Sequence, residues 1–583
     1  MTPLLDRLPR SAALIVLVGV ALVLPTLGVG LVMDDVLMRL HLVGGDTAWG
    51  AAPWWDQFTF ARPDLNEALR DAGFVPWWAD PAVKMTFFRP LAAATHVLDY
   101  ALWPDVPALH HLHSVLWYGA VVAGALAVFR LLHPASPRIS ALAGLIFAVS
   151  APHAITVAWL SARNTMIAVL FGFALLGLHV RGRQSGRVGL QLAAVMVLAV
   201  GLLSGEGALG GLGWVIAWQL CLDEAPWPRR LAALVPYGAV VVAWRVAYVA
   251  AGFGAQHSGI YHDPASDLPG FLGAVGFNLP VLLMSRWLLL PLDYWSVLPP
   301  RLHPVFLGLA AVVLPLVAAV LWPLLRAEPR ARFWALGTAL CLVPFTATMP
   351  MDRLLMVGGL GPAALIAMLA AAPPASRPAR AGVGVLLALH LPISTLLGPI
   401  RVASLPPTLT LFSTGFEQAP RDAAVPDQTF VYVAGTFHRV HYTTLMRLTA
   451  GDPAVPRRSV VLSSVFSNAT VTRTAVDTLE IVPEDGYMLV DVDRIHRADP
   501  TACAVGDVVP LPDLDVEILA LTPDGRPAKA AFRFHVPLED PSLRWLVVDA
   551  EDPDAFPPLA RTRAFPLPAV GETVETWGLG LPL

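Results

Sequence analysis

The sequence predicts a polytopic α-helical membrane protein with a C-terminal all-β soluble domain. Three observations point there. Of 583 residues, 56% are hydrophobic and the mean hydropathy is +0.62, above the ~45–50% apolar content of soluble domains. Apolar runs of about 18–25 residues, enough to cross ~30 Å of hydrocarbon, recur up to about residue 400 and then stop. The charge changes sign at the same place. Residues 401–583 hold 24 Asp+Glu and 15 Lys+Arg, a net of −9, whereas 1–400 carry +5. The expected division is a transmembrane domain over 1–400 and a soluble domain over 401–583.

The first apolar run, Ser11–Val32, follows Arg7 and Arg10. No small-x-small cleavage site precedes Asp34, so the run reads as a retained signal-anchor helix. Short Arg-rich loops stay cytoplasmic, here Arg130–Arg138, Arg181–Arg187, Arg229/Arg230, Arg326–Arg332 and Arg377–Arg380. About eleven crossings, and up to about 13, satisfy them. These lie at 11–33, 108–131, 139–157, 162–180, 188–204, 206–222, 229–252, 303–326, 332–349, 353–372 and 380–400. Two apolar pieces remain. Pro90–Trp103 is short and amphipathic; Phe271–Leu292 is interrupted by Pro280 and Pro291 and carries Arg286. Both are expected to be interfacial or re-entrant, since irregular backbone at membrane depth needs cover from protein or a water-filled cavity. The N-terminus is then cytoplasmic, and loop 34–107 and the 401–583 tail lie outside, which in a bacterial inner membrane is the periplasm.

Loop 34–107 contains Trp49, Trp54, Trp55, Trp77, Trp78 and Trp103. Trp prefers the membrane–water interface, so the loop is expected to lie along the outer surface. Flat rings also stack on sugars. Cys221, Cys341 and Cys503 are far apart and form no metal or disulfide framework.

Charged residues at membrane depth are functional candidates, and on the outer side they converge. Asp34 and Asp35 end the first span. Arg89 starts the interfacial helix, and His110 and His113 start the second span. His153, Arg163, Glu206 and Arg353 follow on outer ends, and Arg245 lies within the seventh span before the next outer loop. His110 and His113 at i and i+3 make a weak metal pair, and interhelical hydrogen bonding accounts for them better. Glu206 has two open readings, a structural partner for an Arg or a site residue. Arg presents a planar fork to phosphate oxygens, and a carboxylate can take a proton from an attacking hydroxyl. Together they suit sugar transfer from a polyprenyl-phosphate carrier. No cofactor is called for, and a divalent metal is not indicated.

The pattern resembles the GT-C superfamily of polytopic glycosyltransferases, most closely the transmembrane O-mannosyltransferase branch and its bacterial relatives. The residues that carry the resemblance are Met33-Asp34-Asp35, Phe88-Arg89-Pro90-Leu91 through Asp99, His110 to Ser114 and Trp117, Val157 to Arg163 through Trp159, Ser204-Gly205-Glu206, Trp244-Arg245 with Tyr248, and Asp352-Arg353. It implies that Asp34 or Asp35 is the catalytic base, Asp34 being favoured. It also implies that Arg89, Arg163 and Arg353 hold the carrier phosphate in an inverting displacement, with His110, His113, His153, Glu206 and Arg245 lining the site. The implied partners are a polyprenyl-phosphate sugar donor, a glycan, lipid or protein acceptor, and membrane lipids, with no nucleic acid. Two alternatives are a lipid or polysaccharide transporter, against which the absence of internal repeats argues, and a non-catalytic envelope-assembly protein.

From about Asp427 the period changes to two: Thr429–Val433, Ser459–Leu462, Thr478–Val482, Val516–Ala520, Ala531–His535 and Arg544–Val548, separated by turns such as Glu484-Asp485-Gly486. That is the spacing of a small antiparallel sandwich or barrel.

Overall fold

The computed structural model describes residues 12–44, 52–408, 418–550 and 560–578. Arg7, Arg10 and Trp49 lie outside the described residues. Six helices are long and apolar enough to cross a membrane, Pro107–Leu132, Leu160–Ser185, Trp227–Ala250, Leu268–Leu288, Pro300–Ala327 and Arg377–Leu405, and four shorter apolar helices accompany them. The chain is a polytopic helical membrane protein with a C-terminal β domain.

Helices of ten or more residues are numbered in chain order. The first, α1 (Ala12–Val23), tightens into a 3₁₀ turn ending at Gly28. The backbone then bends, with φ of 77° at Gly30 and 45° at Met33. Glycine accepts such angles, whereas at methionine they cost on the order of 1–3 kcal/mol and persist only where the surroundings hold them. The bend opens α2 (Asp34–Val43) with both aspartates in its first turn, where the helix dipole favours negative charge. The amphipathic α3 (Pro90–Leu102) opens on proline, whose missing N–H is no loss at a helix start. Next come α4 (Pro107–Leu132), α5 (Pro137–Ala148) and α6 (Arg163–Ser185). At 1.5 Å per residue, α4 is ~39 Å long and separates two distant faces of the bundle.

The segment Leu268–Leu288 is one continuous helix through Pro280, not the interrupted piece expected. The segments that flank it are both held by the C-terminal domain. Gly259 before it donates to the Arg494 carbonyl at 3.0 Å, and Trp295 after it donates to Asp491 at 3.1 Å. Both acceptors belong to one turn of the C-terminal domain, Asp491–Arg494. Midway, Asn278 donates to the carbonyls of Thr346 and Thr348 at 3.0 and 3.1 Å.

Residues 52–89 of the loop are held by contacts with the tail and with the segment after 250. Strands β1 (Thr59–Ala61), β2 (Lys84–Thr86) and β3 (Gly254–Gln256) form an antiparallel sheet, with Met85 opposite Ala255. Trp77 and Trp78 enter the apolar core of the C-terminal domain, where their indole N–H groups donate to the carbonyls of Leu462 (3.2 Å) and Asp493 (2.8 Å). They are therefore not membrane-interface residues. Trp54 and Trp55 remain exposed, packed edge to face.

Every run read as a strand in the tail lies on one. The strands are β4 (Thr429–Gly435), β5 (Arg458–Ser464), β6 (Ala469–Arg473), β7 (Thr478–Pro483), β8 (Val508–Pro510), β9 (Leu514–Leu521), β10 (Pro527–Phe534), β11 (Leu543–Ala550), β12 (Ala560–Ala564) and β13 (Thr573–Thr576). One sheet is antiparallel, in the order β13-β6-β7-β10-β9-β8; the other runs β12-β11-β4-β5. In the second, β4 pairs parallel with both β11 and β5, and the crossover from β4 to β5 is the helix Phe437–Thr449. The purely antiparallel arrangement expected thus holds for one sheet only, since a parallel pair needs a crossover and here a helix supplies it. The last apolar helix, Ser394–Thr408, also runs past residue 401. Arg401 is buried within the bundle against Asp352, so the expected boundary falls inside a helix.

Candidate active site

The bend at Gly30–Met33 sends the two adjacent aspartates in different directions. Asp35 turns inward. It is buried, and its carboxylate accepts from the backbone N–H of Ser161 at 2.7 Å and of Val32 at 3.1 Å. Burial pushes its carboxyl up to about 7, against the pull of these bonds. Asp35 thus pins the turn before α2 to the turn before α6. Asp34 is half-buried. Its Oδ1 accepts from the Tyr442 hydroxyl at 2.7 Å, and Oδ2 has no protein partner among the described residues. Burial lifts the Asp34 carboxyl above the usual carboxylate range, opposed by the bond from Tyr442 and by the charges of Arg353 and Arg89.

Those two arginines are held differently. Arg89 donates from Nε (3.1 Å) and Nη2 (2.8 Å) to one oxygen of Glu206, whose other oxygen accepts from Tyr248 at 2.7 Å. The guanidinium also lies over the rings of Phe87 and Phe58, at 4.6 and 5.1 Å. Glu206 therefore orients Arg89, and Nη1 is left without a protein partner among the described residues. Arg353 stacks on the ring of Trp159 at 4.8 Å and makes no ion pair among the described residues. Its neighbour fixes it. Asp352 is buried, paired with Arg401 at 2.6 Å and accepting from the Leu292 N–H at 3.0 Å. In Asp352-Arg353 the acid anchors the turn and the base is presented. The indole N–H of Trp159 is buried there without an acceptor, which in a native site asks for an explanation.

The remaining predicted residues do not join this group. Arg163 is fully buried with all three guanidinium nitrogens bonded, donating to Asp99 (2.6 Å), the His110 carbonyl (2.8 Å), Ser114 (3.0 Å) and Thr95 (3.2 Å). It braces α3, α4 and α6, and its complete burial keeps it from a phosphate. His113 belongs to the same brace, with Nδ1 on Asp99 at 2.6 Å and Nε2 accepting from Trp117 at 3.1 Å. His110 is buried against the Trp103 carbonyl at 2.8 Å. His153 lies in the apolar interior beside Phe147 and Tyr118. Arg245 is paired with Asp263 and reaches the group only through Tyr248, over whose ring it lies at 5.5 Å.

Tyr442 was missed by sequence reasoning. It sits on the helix Phe437–Thr449, whose Phe437, Tyr442 and Leu445 pack on Val36, Leu37 and Leu40 of α2. Its partner Asp34 is 408 positions away, and no local signal marks it.

No protein family and no curated protein matches the chain. Among solved structures, a cryo-EM structure of the arabinofuranosyltransferase AftD from Mycobacteria is similar along 94% of this chain, at 15% identity and a TM-score of 0.34. The chain spans 43% of that structure's length. A likeness this distant carries no argument about substrate or mechanism, so the chemistry rests on the residues. Among the described residues no group of three or more His, Cys, Asp or Glu is placed to hold a metal ion.

Proposed function

We propose that this protein is a GT-C-like glycosyltransferase acting at the outer face of a bacterial inner membrane. It moves a sugar from a polyprenyl-phosphate donor to a glycan, lipid or protein acceptor. The observation that carries this reading is Asp34, with Oδ2 open, beside an Asp35 that is bonded to Ser161 in the same short segment as Trp159, on whose ring Arg353 stacks with no ion-pair partner among the described residues. An unpaired arginine at membrane depth is expensive unless an anion visits it. A lipid phosphate is such an anion.

In this reading Asp34 Oδ2 accepts the proton of the acceptor hydroxyl. The freed oxygen attacks the anomeric carbon from the face opposite the phosphate, and the carbon–oxygen bond to phosphate breaks with inversion. The phosphate leaves already ionised, so one base is enough. Arg353 and Nη1 of Arg89 meet the charge on the departing oxygens, where the guanidinium fork suits phosphate. Asp35, Arg163, Asp99 and His113 hold the frame that keeps these groups in register.

The test is deletion of the gene, followed by mass spectrometry of envelope glycans and of the lipid extract. Loss of one glycan together with accumulation of one polyprenyl-phosphate sugar is expected, and plasmid-borne Arg353→Gln is expected not to restore the glycan. Unchanged glycans and unchanged lipid-linked sugars in the deletion strain would rule the reading out.

A further inference from the structure

At the end of α4 opposite the carboxylate pair, a cavity of about 180 Å³ opens between α1, α4 and α5. Its lining includes Ile15, Leu126, Arg130, His133, Pro137 and Ser140. The walls divide by chemistry. Ile15 and Leu126 form an apolar side continuous with the core of the bundle. Arg130 is exposed in the last turn of α4 and makes no ion pair or hydrogen bond among the described residues. No Asp or Glu occurs anywhere between Asp105 and Glu206.

His133 adds a directed donor. Its ring stacks on Trp334, whose indole N–H donates to His133 Nε2 at 3.0 Å. An indole nitrogen can only donate, so Nε2 must accept and the neutral ring carries its proton on Nδ1. That N–H has no protein acceptor among the described residues, on a residue that lines the cavity. Among the described residues, the charge that acts on the ring is the cation of Arg330. The Ser140 hydroxyl is already committed to the Phe129 carbonyl at 3.1 Å. Among the described residues that line it, the cavity therefore offers a guanidinium and an N–H, no carboxylate, and an apolar wall behind them.

We infer that this cavity is a binding site for the phosphate of an anionic membrane lipid, with Arg130 and His133 Nδ1–H on the phosphate and an acyl chain along Ile15 and Leu126. The site is separate from the carboxylate group and does not depend on the activity proposed above. Basic pockets between helix ends at the cytoplasmic surface suit acidic headgroups. The volume accommodates a phosphate, and the apolar wall favours one that carries a chain over free phosphate.

Native mass spectrometry of the full-length protein in detergent tests this with three probes: dioleoylphosphatidylglycerol, dioleoylglycerol with the same chains and no phosphate, and inorganic phosphate with no chains. Phosphatidylglycerol is expected to remain bound, and the other two are not. Arg130→Gln should reduce its retention about fivefold, the effect of one basic residue at the membrane surface. Arg130→Lys should keep most of it, and Arg187→Gln, on another cytoplasmic loop, should not change it. Equal melting temperatures of the variants without lipid establish that they fold. Equal retention by Arg130→Gln and wild type, or equal binding of dioleoylglycerol or of inorganic phosphate, would overturn the inference.

Discussion

Tyr442 and the two aspartates show how much can depend on single contacts. Asp34 and Asp35 are adjacent and chemically identical, yet one accepts two backbone N–H groups in the interior and the other keeps an oxygen open. The hydroxyl of Tyr442 donates to the charged form of Asp34 and so holds its carboxyl down against burial. Tyr442→Phe removes that bond and keeps the ring in its packing. The Asp34 carboxyl then rises further, and a base must be deprotonated to act. The acid limb of the activity–pH profile should therefore move to higher pH, with the plateau reduced less than in Asp34→Asn. An unmoved acid limb would separate Tyr442 from Asp34 chemistry. Asp35 behaves in the opposite sense to an ordinary ion-paired acid. Its folded value near 7 lies above the unfolded value, so the folded state binds the extra proton between about pH 4 and pH 7. Its contribution to stability is greatest at low pH and declines as pH rises through that window. Asparagine offers one acceptor where two N–H groups converge, so Asp35→Asn should cost roughly 1–3 kcal/mol, seen as a lower melting temperature.

At the scale of elements, the loop that carries Trp77 and Trp78 and the tail pack as one unit. Trp77 packs edge to face on Tyr487 and Phe532, Trp78 donates into the Asp491–Arg494 turn, and the helix Phe437–Thr449 lies on α2. Replacing a buried tryptophan with alanine costs about 3–5 kcal/mol. Trp78→Ala should loosen the tail from the body and speed limited proteolysis between them, and an unchanged cleavage rate would contradict the docking. These contacts also show what the sequence disclosed. The helices at 107–132, 163–185 and 303–327 and six strands were legible because hydrophobic period and run length are local. The parallel pairing of β4 with β5 and β11 was not, because a period of two carries no strand direction. The helix Phe437–Thr449 was hidden by its histidines and threonines. Asp34, Arg89 and Arg353 could be named because each stands at the end of an apolar run. That Arg163 would be spent on Asp99, 64 positions away, and His153 on Tyr118, 35 away, depends on packing that no single stretch encodes.

The whole molecule has a direction. The carboxylate group and the tail share one face of the bundle, and the Arg130–His133 cavity lies at the other. Two of the native cysteines report it. Cys503 is half-buried in the tail, and Cys221 lies at the end of the helix Gly210–Cys221, on the side of the Arg-rich loops. A membrane-impermeant maleimide added to intact spheroplasts at alkaline pH should label Cys503 and lose that signal in Cys503→Ser. Cys221 should react only after permeabilisation, and the reverse order would invert the topology. Transfer by the proposed mechanism turns on Asp34 as the proton acceptor. Its most direct test is Asp34→Asn beside wild type in the deletion strain, with transfer rate and amount of folded protein measured together. We predict normal folded protein and a rate about 10²–10⁴-fold lower, the usual effect of losing a general base. Undiminished transfer by Asp34→Asn at normal protein level would contradict it.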